Sequence, residues 1–216
     1  MKINLMSDLH FEFLSKAEED HFYTKLPPAD VMILAGDIDV GRHNVRNTLK
    51  QFAKLYSRVI YVMGNHEPYN SSIYKFRMLD GLANNVHFLD PGHVQIDDIT
   101  FIGGCLWTNF QNDPLAEMVA LGSINDFYRI SEATPDSYKK LFDEHFAYID
   151  SQLQKPGKKI VITHFLPANA TTHPKYGNNK INKYFANNLD SYIEGLTDVT
   201  WCFGHTHGSI DVMIGT

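Results

Sequence analysis

Five short apolar runs each end in a cluster of residues that bind divalent metals. Ile3-Asn4-Leu5-Met6 leads to Asp8-Leu9-His10, and Val31-Met32-Ile33-Leu34-Ala35 leads to Gly36-Asp37. Val59-Ile60-Tyr61-Val62-Met63 leads to Gly64-Asn65-His66-Glu67, and Ile160-Val161-Ile162-Thr163 leads to His164. Val199-Thr200-Trp201-Cys202-Phe203 leads to Gly204-His205-Thr206-His207. Runs of this length, rich in Val and Ile, read as strands buried on both faces. In an open α/β sheet, ligands sit beyond the carboxyl ends of the strands. Five segments far apart in sequence therefore deliver their polar residues to one edge, and one site is the economical reading.

The candidate donors are Asp8, His10, Asp37, Asn65, His164, His205 and His207. The set holds imidazole, carboxylate and amide groups and no thiolate. Such donors suit manganese, iron, zinc, cobalt or nickel. Seven ligands are too many for one tetrahedral ion with an open position, but suit two ions that share a carboxylate. Asp37 is the natural bridge, because it leaves a central strand and follows a Gly that permits a tight turn. Two ions roughly 3.5–4 Å apart can clamp the attacking and leaving oxygens of an in-line displacement. They also lower the pKa of a bound water from about 15.7 towards 7, which gives a hydroxide nucleophile without a Ser or Cys.

In the order D-x-H, G-D, G-N-H-[DE], H and G-H-x-H, these segments resemble the calcineurin-like metallophosphoesterases, with the match running from residue 8 to residue 207. The resemblance implies an α/β fold in which a two-layer β-sheet sandwich is flanked by helices, four layers α/β/β/α, with the metals at one edge. It places Asp8, His10 and His207 on a first metal and Asn65, His164 and His205 on a second, with Asp37 shared. It makes His66 and Asp37 the catalytic pair, His66 sitting near the leaving oxygen as general acid or hydrogen-bond donor. That role makes chemical sense, because phosphoester cleavage needs a proton for the leaving alkoxide. An imidazole beside a carboxylate stays protonated near neutral pH. Glu67 is adjacent in sequence, but Asp37 or Asp8 could equally be the acid that holds the ring.

The other six histidines (His21, His43, His87, His93, His145 and His173) are read as ordinary core or surface residues. Cys105 and Cys202 are flanked by apolar residues and read as small buried hydrophobes. At 216 residues the chain suits one domain, 1–216, with a substantial core. Its formal net charge of −6 argues against stable nucleic-acid binding, which wants a basic face. No apolar stretch approaches membrane-spanning length and no signal-type segment opens the chain, so a cytoplasmic protein is expected.

Helical spacing is present over 41–57 and 71–83, and most clearly over 137–153, closed by Pro156-Gly157. Residues 86–89 read as a short strand, and 94–96 and 100–102 as a hairpin around Asp97-Asp98. Residues 107–135 have no clean period and are expected to form an irregular, lid-like insertion. Trp107, Asn109, Tyr128 and Arg129 are its candidate substrate contacts, Arg129 as a cation for a phosphate oxygen. The loop with Pro167, Asn169, Thr171, Thr172 and His173 is a second candidate wall. The chain stops nine residues after His207, where members of the family commonly continue, so either a natural short form or a C-terminal truncation is expected.

Within the family, phosphoprotein phosphatases show G-D-x-V-D-R-G, whereas Gly36-Asp37-Ile38-Asp39-Val40-Gly41-Arg42 puts the Arg elsewhere. Purple acid phosphatases carry a Tyr ligand where Val40 stands, and repair nucleases add a DNA-binding cap. The remaining resemblance is to small bacterial or phage phosphoesterases. It implies a phosphodiesterase for a small nucleotide-like phosphoester, with two divalent ions, manganese first and iron, zinc, nickel or cobalt as alternatives. The rival expectations are a phosphomonoesterase or phosphoprotein phosphatase, and a non-catalytic scaffold of the same fold.

Overall fold

A computed structural model describes residues 1–215; Thr216, the last residue of the expected domain, lies outside them. Eight strands form two sheets: β1 Ile3–Met6, β2 Val31–Ala35, β3 Arg58–Val62, β4 Val86–Phe88, β5 Gly92–Ile96, β6 Ile99–Gly103, β7 Lys158–Ile162 and β8 Val199–Cys202. The first sheet, β1-β2-β3-β4, is parallel throughout. In the second, β5-β6-β7-β8, the β5–β6 hairpin is antiparallel and the other pairs are parallel. Val31, Ile33, Ala35, Ile60 and Val62 meet Phe101 and Ile162 between the sheets. These alternate along each strand, as the two-residue period of a strand requires.

The opposite faces of the strands are covered by helices. The helices are α1 Lys16–Tyr23, α2 Arg42–Leu55, α3 Ile73–Arg77, α4 Pro114–Ser123, α5 Asp126–Arg129, α6 Pro135–Leu153, α7 Asn182–Phe185 and α8 Asp190–Glu194. Val45, Leu49 and Phe52 of α2 bury one side, and Tyr138, Leu141, Phe142 and Ile149 of α6 another. The four-layer α/β/β/α arrangement is thus built from the two helices whose apolar periodicity is clearest.

Some elements differ from what the sequence suggests. Burial on both faces holds for β2 and for most of β3, but β1 and β8 are sheet edges; Leu5 is 46% exposed. The helix expected over 71–83 is confined to Ile73–Arg77, and Gly81 then takes φ +65° while Arg42 and Arg46 grip Asp80. Residues 107–135 are largely helical rather than irregular. Asp113 caps α4 and Pro114 occupies its first turn, but α4 is apolar almost all round and so shows no period. The start of α1 is written in Ser15-Lys16-Ala17-Glu18, a reciprocal capping box.

Candidate metal centre

The loops leaving β1, β2, β3, β7 and β8 meet at one edge of the sandwich, where β1 and β2 run on in step. The Asp8 N–H donates to the Gly36 carbonyl and the His10 N–H to the Asp37 carbonyl, each at 3.0 Å. Asp8, His10, Asp37, His205 and His207 all have left-handed backbone, with φ between 48° and 76°. Non-glycine residues seldom adopt this region, and the strain of about 1–3 kcal/mol each persists only where the surroundings impose it. Gly36 has φ +85°, and a Cβ there would lie 2.5 Å from Nδ1 of His164. At Gly64 a Cβ would lie 2.2 Å from Oδ1 of Asp37. Both positions are therefore closed to any side chain.

The seven sequence-predicted donors converge in two cups. In the first, Nε2 of His10 lies 3.1 Å from Nε2 of His207, which is 3.4 Å from Oδ1 of Asp8. In the second, Nε2 of His164 lies 3.0 Å from Oδ1 of Asn65, 3.1 Å from Nδ1 of His205 and 3.3 Å from Oδ2 of Asp37. The same Oδ2 is 3.8 Å from Nε2 of His10, so Asp37 belongs to both. Ligands held at about 2.0–2.2 Å from an ion lie roughly 3–3.5 Å from one another, which is the spacing found.

The hydrogen bonds behind the donors make the cups accepting. His164 donates from Nδ1 to the Ala35 carbonyl at 2.8 Å, leaving the lone pair of Nε2 to face three other acceptors. Asn65 donates from Nδ2 to Oδ1 of Asp126 at 2.8 Å, which turns its carbonyl oxygen inward. Burial disfavours charge on His164, yet Asp37 and Asp8 outweigh it and push its pKa up to about 10. Burial likewise opposes charge on Asp37, but facing His164 holds that carboxyl far below the usual range. Four acceptors around a point that attracts a proton so strongly fit a cation.

His66 lines the cleft beside this centre. Its backbone N–H donates to Oδ1 of Asp37 at 2.9 Å, and its ring stacks on Tyr69 with centroids 4.3 Å apart. The acid that holds the ring is none of the three candidates suggested by sequence but Glu12. Oε1 of Glu12 accepts from Nδ1 of His66 at 3.3 Å and from Nδ1 of His10 at 3.0 Å. Burial lowers the pKa of His66, but the Glu12 hydrogen bond and the charge of Asp37 raise it above the ordinary imidazole value. Glu67 is fully buried, accepting from the backbone of Gly64 and Ile38 and from Tyr61, and braces the two turns.

Asp126 is a second residue missed in the sequence. Its buried carboxylate accepts from Asn65, from Tyr69 at 2.7 Å, from Tyr138 at 2.8 Å and from Tyr184. Glu12 had a readable signal, an acid two residues after His10; Asp126 had none, because its partners are 12 to 61 residues away in sequence.

The expected substrate contacts fare differently. A cleft of about 410 Å³ opens from the donors and is walled by Ser123–Asp126 and by parts of 172–185. So the 107–135 segment does border the site, and Thr172 of the second expected wall does too. None of Trp107, Asn109, Tyr128 and Arg129 lines the cleft. Trp107 is wholly buried against Tyr138 and Phe165. Asn109 caps a short turn and donates to Asn188. Tyr128 donates to the Leu121 carbonyl on the surface. Arg129 is bonded to Asn70 and lies over the Tyr69 ring, 5.3 Å from its centroid, so it reaches His66 only through Tyr69.

Among the described residues no helix is long and apolar enough to cross a membrane. Comparison with known proteins agrees with the geometry. The family described as calcineurin-like phosphoesterase matches residues 1–209. An uncharacterized protein, L509, of Acanthamoeba polyphaga mimivirus is 28% identical over 239 aligned residues, covering 95% of this chain and 84% of that protein. The crystal structure of phosphopantetheinyl hydrolase (PptH) from Mycobacterium tuberculosis superposes with a TM-score of 0.71 at 18% identity, over 95% of this chain and 83% of that one, a likeness of fold.

Proposed function

Because the chain belongs to the calcineurin-like phosphoesterases, and is a metal-dependent phosphoesterase on that account, we propose that it hydrolyses a phosphodiester of a small, nucleotide-like compound. Asp8, His10 and His207 would hold one divalent ion and Asn65, His164 and His205 the other, with Asp37 available to both. The observation that carries this is the meeting of the two cups at Oδ2 of Asp37. When bound, the ions supply Lewis-acid charge at the phosphoryl oxygens and activate water. Manganese is taken first on the family resemblance; the imidazole, carboxylate and amide donors suit it along with iron, zinc, nickel and cobalt.

The chain's own residues orient the ester and move the proton. Glu12 engages Nδ1 of His66, so Nε2 is the ring nitrogen free to serve the cleft. With its pKa raised, His66 holds a proton more readily than an ordinary imidazole and would donate it to the departing alkoxide oxygen. Tyr69 beneath the ring and Asp37 at its backbone N–H hold it in place. A diester rather than a monoester is supported by charge, because among the described residues no Lys or Arg lines the cleft, so a monoester's second negative charge would rest on the ions alone.

Hydrolysis of bis-p-nitrophenyl phosphate against p-nitrophenyl phosphate, after reconstitution of apo-protein with manganese, tests this. The diester is expected to turn over with the higher kcat/KM. A higher value for the monoester would make the protein a phosphomonoesterase.

A further inference from the structure

The turn that carries two of the proposed metal ligands is gripped from outside by part of the cleft wall. Gly204-His205-Thr206-His207 follows β8, and His205 and His207 take φ of 76° and 48°. Its first half is pinned from behind. The Gly204 N–H donates to the His164 carbonyl at 3.1 Å, and the His205 N–H to both carboxylate oxygens of Asp8 at 3.0 Å. Its second half faces outward, and the His207 side chain is 60% exposed. There the bonds come from a short helical turn, Pro174–Tyr176. Nζ of Lys175 donates to the His207 carbonyl at 2.8 Å, and the Tyr176 hydroxyl donates to the Thr206 carbonyl.

Those two carbonyls belong to the peptide groups on either side of the His207 Cα. A peptide group is planar, so gripping its oxygen fixes the plane. Two fixed planes set φ and ψ of the residue between them, and here that residue is held in the left-handed region that side chains other than Gly avoid. The gripping groups are themselves set in place. The Lys175 N–H donates to Nδ1 of His173 at 3.1 Å, and the Gly177 N–H to the Pro174 carbonyl at 3.0 Å. Nζ of Lys175 lies 4.8 Å from the centroid of the Tyr176 ring, so the ammonium and the phenol approach neighbouring carbonyls as a pair. Gly208 permits the approach, because a Cβ there would press on Cβ of His173 at 3.1 Å. Thr172 and Tyr176 of the same segment line the cleft.

We propose that Lys175 and Tyr176 are positioning residues for the first metal cup. By fixing the peptide planes beside His207 they aim its ring at Asp8 and His10, and they tie metal loading to the cleft wall. This rests on the ligand role proposed above for His207. The tie is reciprocal: an ion that draws His207 into the cup steadies the 172–177 wall, and a steadied wall favours the ion.

Amide hydrogen exchange and manganese titration calorimetry test this, with the full chain compared against Lys175→Met/Tyr176→Phe. Without metal, the amides of residues 205–208 should exchange at least about tenfold faster in the double variant, since two bonds restraining their turn are gone. One of two manganese ions should then bind about 10–100-fold more weakly, the usual effect of losing an outer partner of a ligand, and the other should change by less than about threefold. Lys175→Arg, which keeps a charged donor, should stay within about threefold of the natural protein. The urea midpoint of the metal-free double variant should be unchanged. Unchanged manganese affinities in the double variant would overturn the inference, as would a lowered midpoint with equal weakening of both ions, which marks a merely structural role. Fewer than two ions in the natural protein would count against the ligand reading alone, and exchange in the metal-free state would still decide whether the pair holds the turn.

Discussion

A single oxygen, Oε1 of Glu12, accepts from both the proposed ligand imidazole of His10 and the cleft imidazole of His66. Outer partners of this kind fix the tautomer and direction of the nitrogen that does the work, and losing one typically costs about 10–100-fold in metal affinity or activity. Glu12→Gln keeps the shape but cannot accept from both rings with full charge. Manganese affinity at the first cup should fall by roughly 10–100-fold in equilibrium dialysis; an unchanged affinity would show that Glu12 does not orient His10. His66→Ala should leave both ions bound and lower turnover by about 10²–10⁴-fold on alkyl diesters, with a smaller loss on p-nitrophenyl esters. Full activity of that variant on alkyl diesters would remove the general-acid role. The donors were legible as residue types at strand ends, but their left-handed backbone and their partners were not. Such features come from loop contacts between segments far apart in sequence.

At the scale of elements, the strands and the two long amphipathic helices were legible because burial leaves a period in the sequence. Helix α4 left none, being apolar on nearly every side. The irregular reading of 107–135 therefore failed on structure, and of this segment Ser123–Asp126 line the cleft. Its substrate contacts failed for a related reason: an aromatic such as Trp107 reads alike as a ligand contact or as core, and only packing decides. The junction of α4 and α5 supplies Asp126, which ties this segment to Asn65 and to α6 and α7 through Tyr138 and Tyr184. Asp126→Ala would strand four buried donors, each worth about 1–3 kcal/mol when unsatisfied. Urea denaturation should show a loss of at least about 3 kcal/mol, together with weaker binding of the second manganese ion. A loss below about 1 kcal/mol would mean that the network relaxes without it.

Over the whole molecule, two sheets close around one core and bring residues 8 and 207 to the same edge. The buried side of the second sheet carries a pH-sensitive residue remote from that edge. His145 is pushed down to about 3, first by burial and then by the charge of Arg77, and its Nδ1 accepts from the Leu106 N–H. Because its folded pKa lies below the unfolded value of 6.5, its contribution is complete above pH 6.5 and is lost as pH falls toward 3. Between pH 7 and pH 5 the natural protein should therefore lose about 2 kcal/mol relative to His145→Asn, read from unfolding free energies. Asp90, raised to about 6 by burial, has the opposite slope, and because its Oδ1 lies 3.6 Å from Nε2 of His145 the same comparison is made in an Asp90→Asn background. The central claim is that Asp37 joins two ions. It is tested by counting manganese per chain and recording its electron paramagnetic resonance, for the natural protein and for Asp37→Asn. Two exchange-coupled ions in the first and none in the second are predicted; a single ion in the natural protein, or one ion retained by Asp37→Asn, would contradict it.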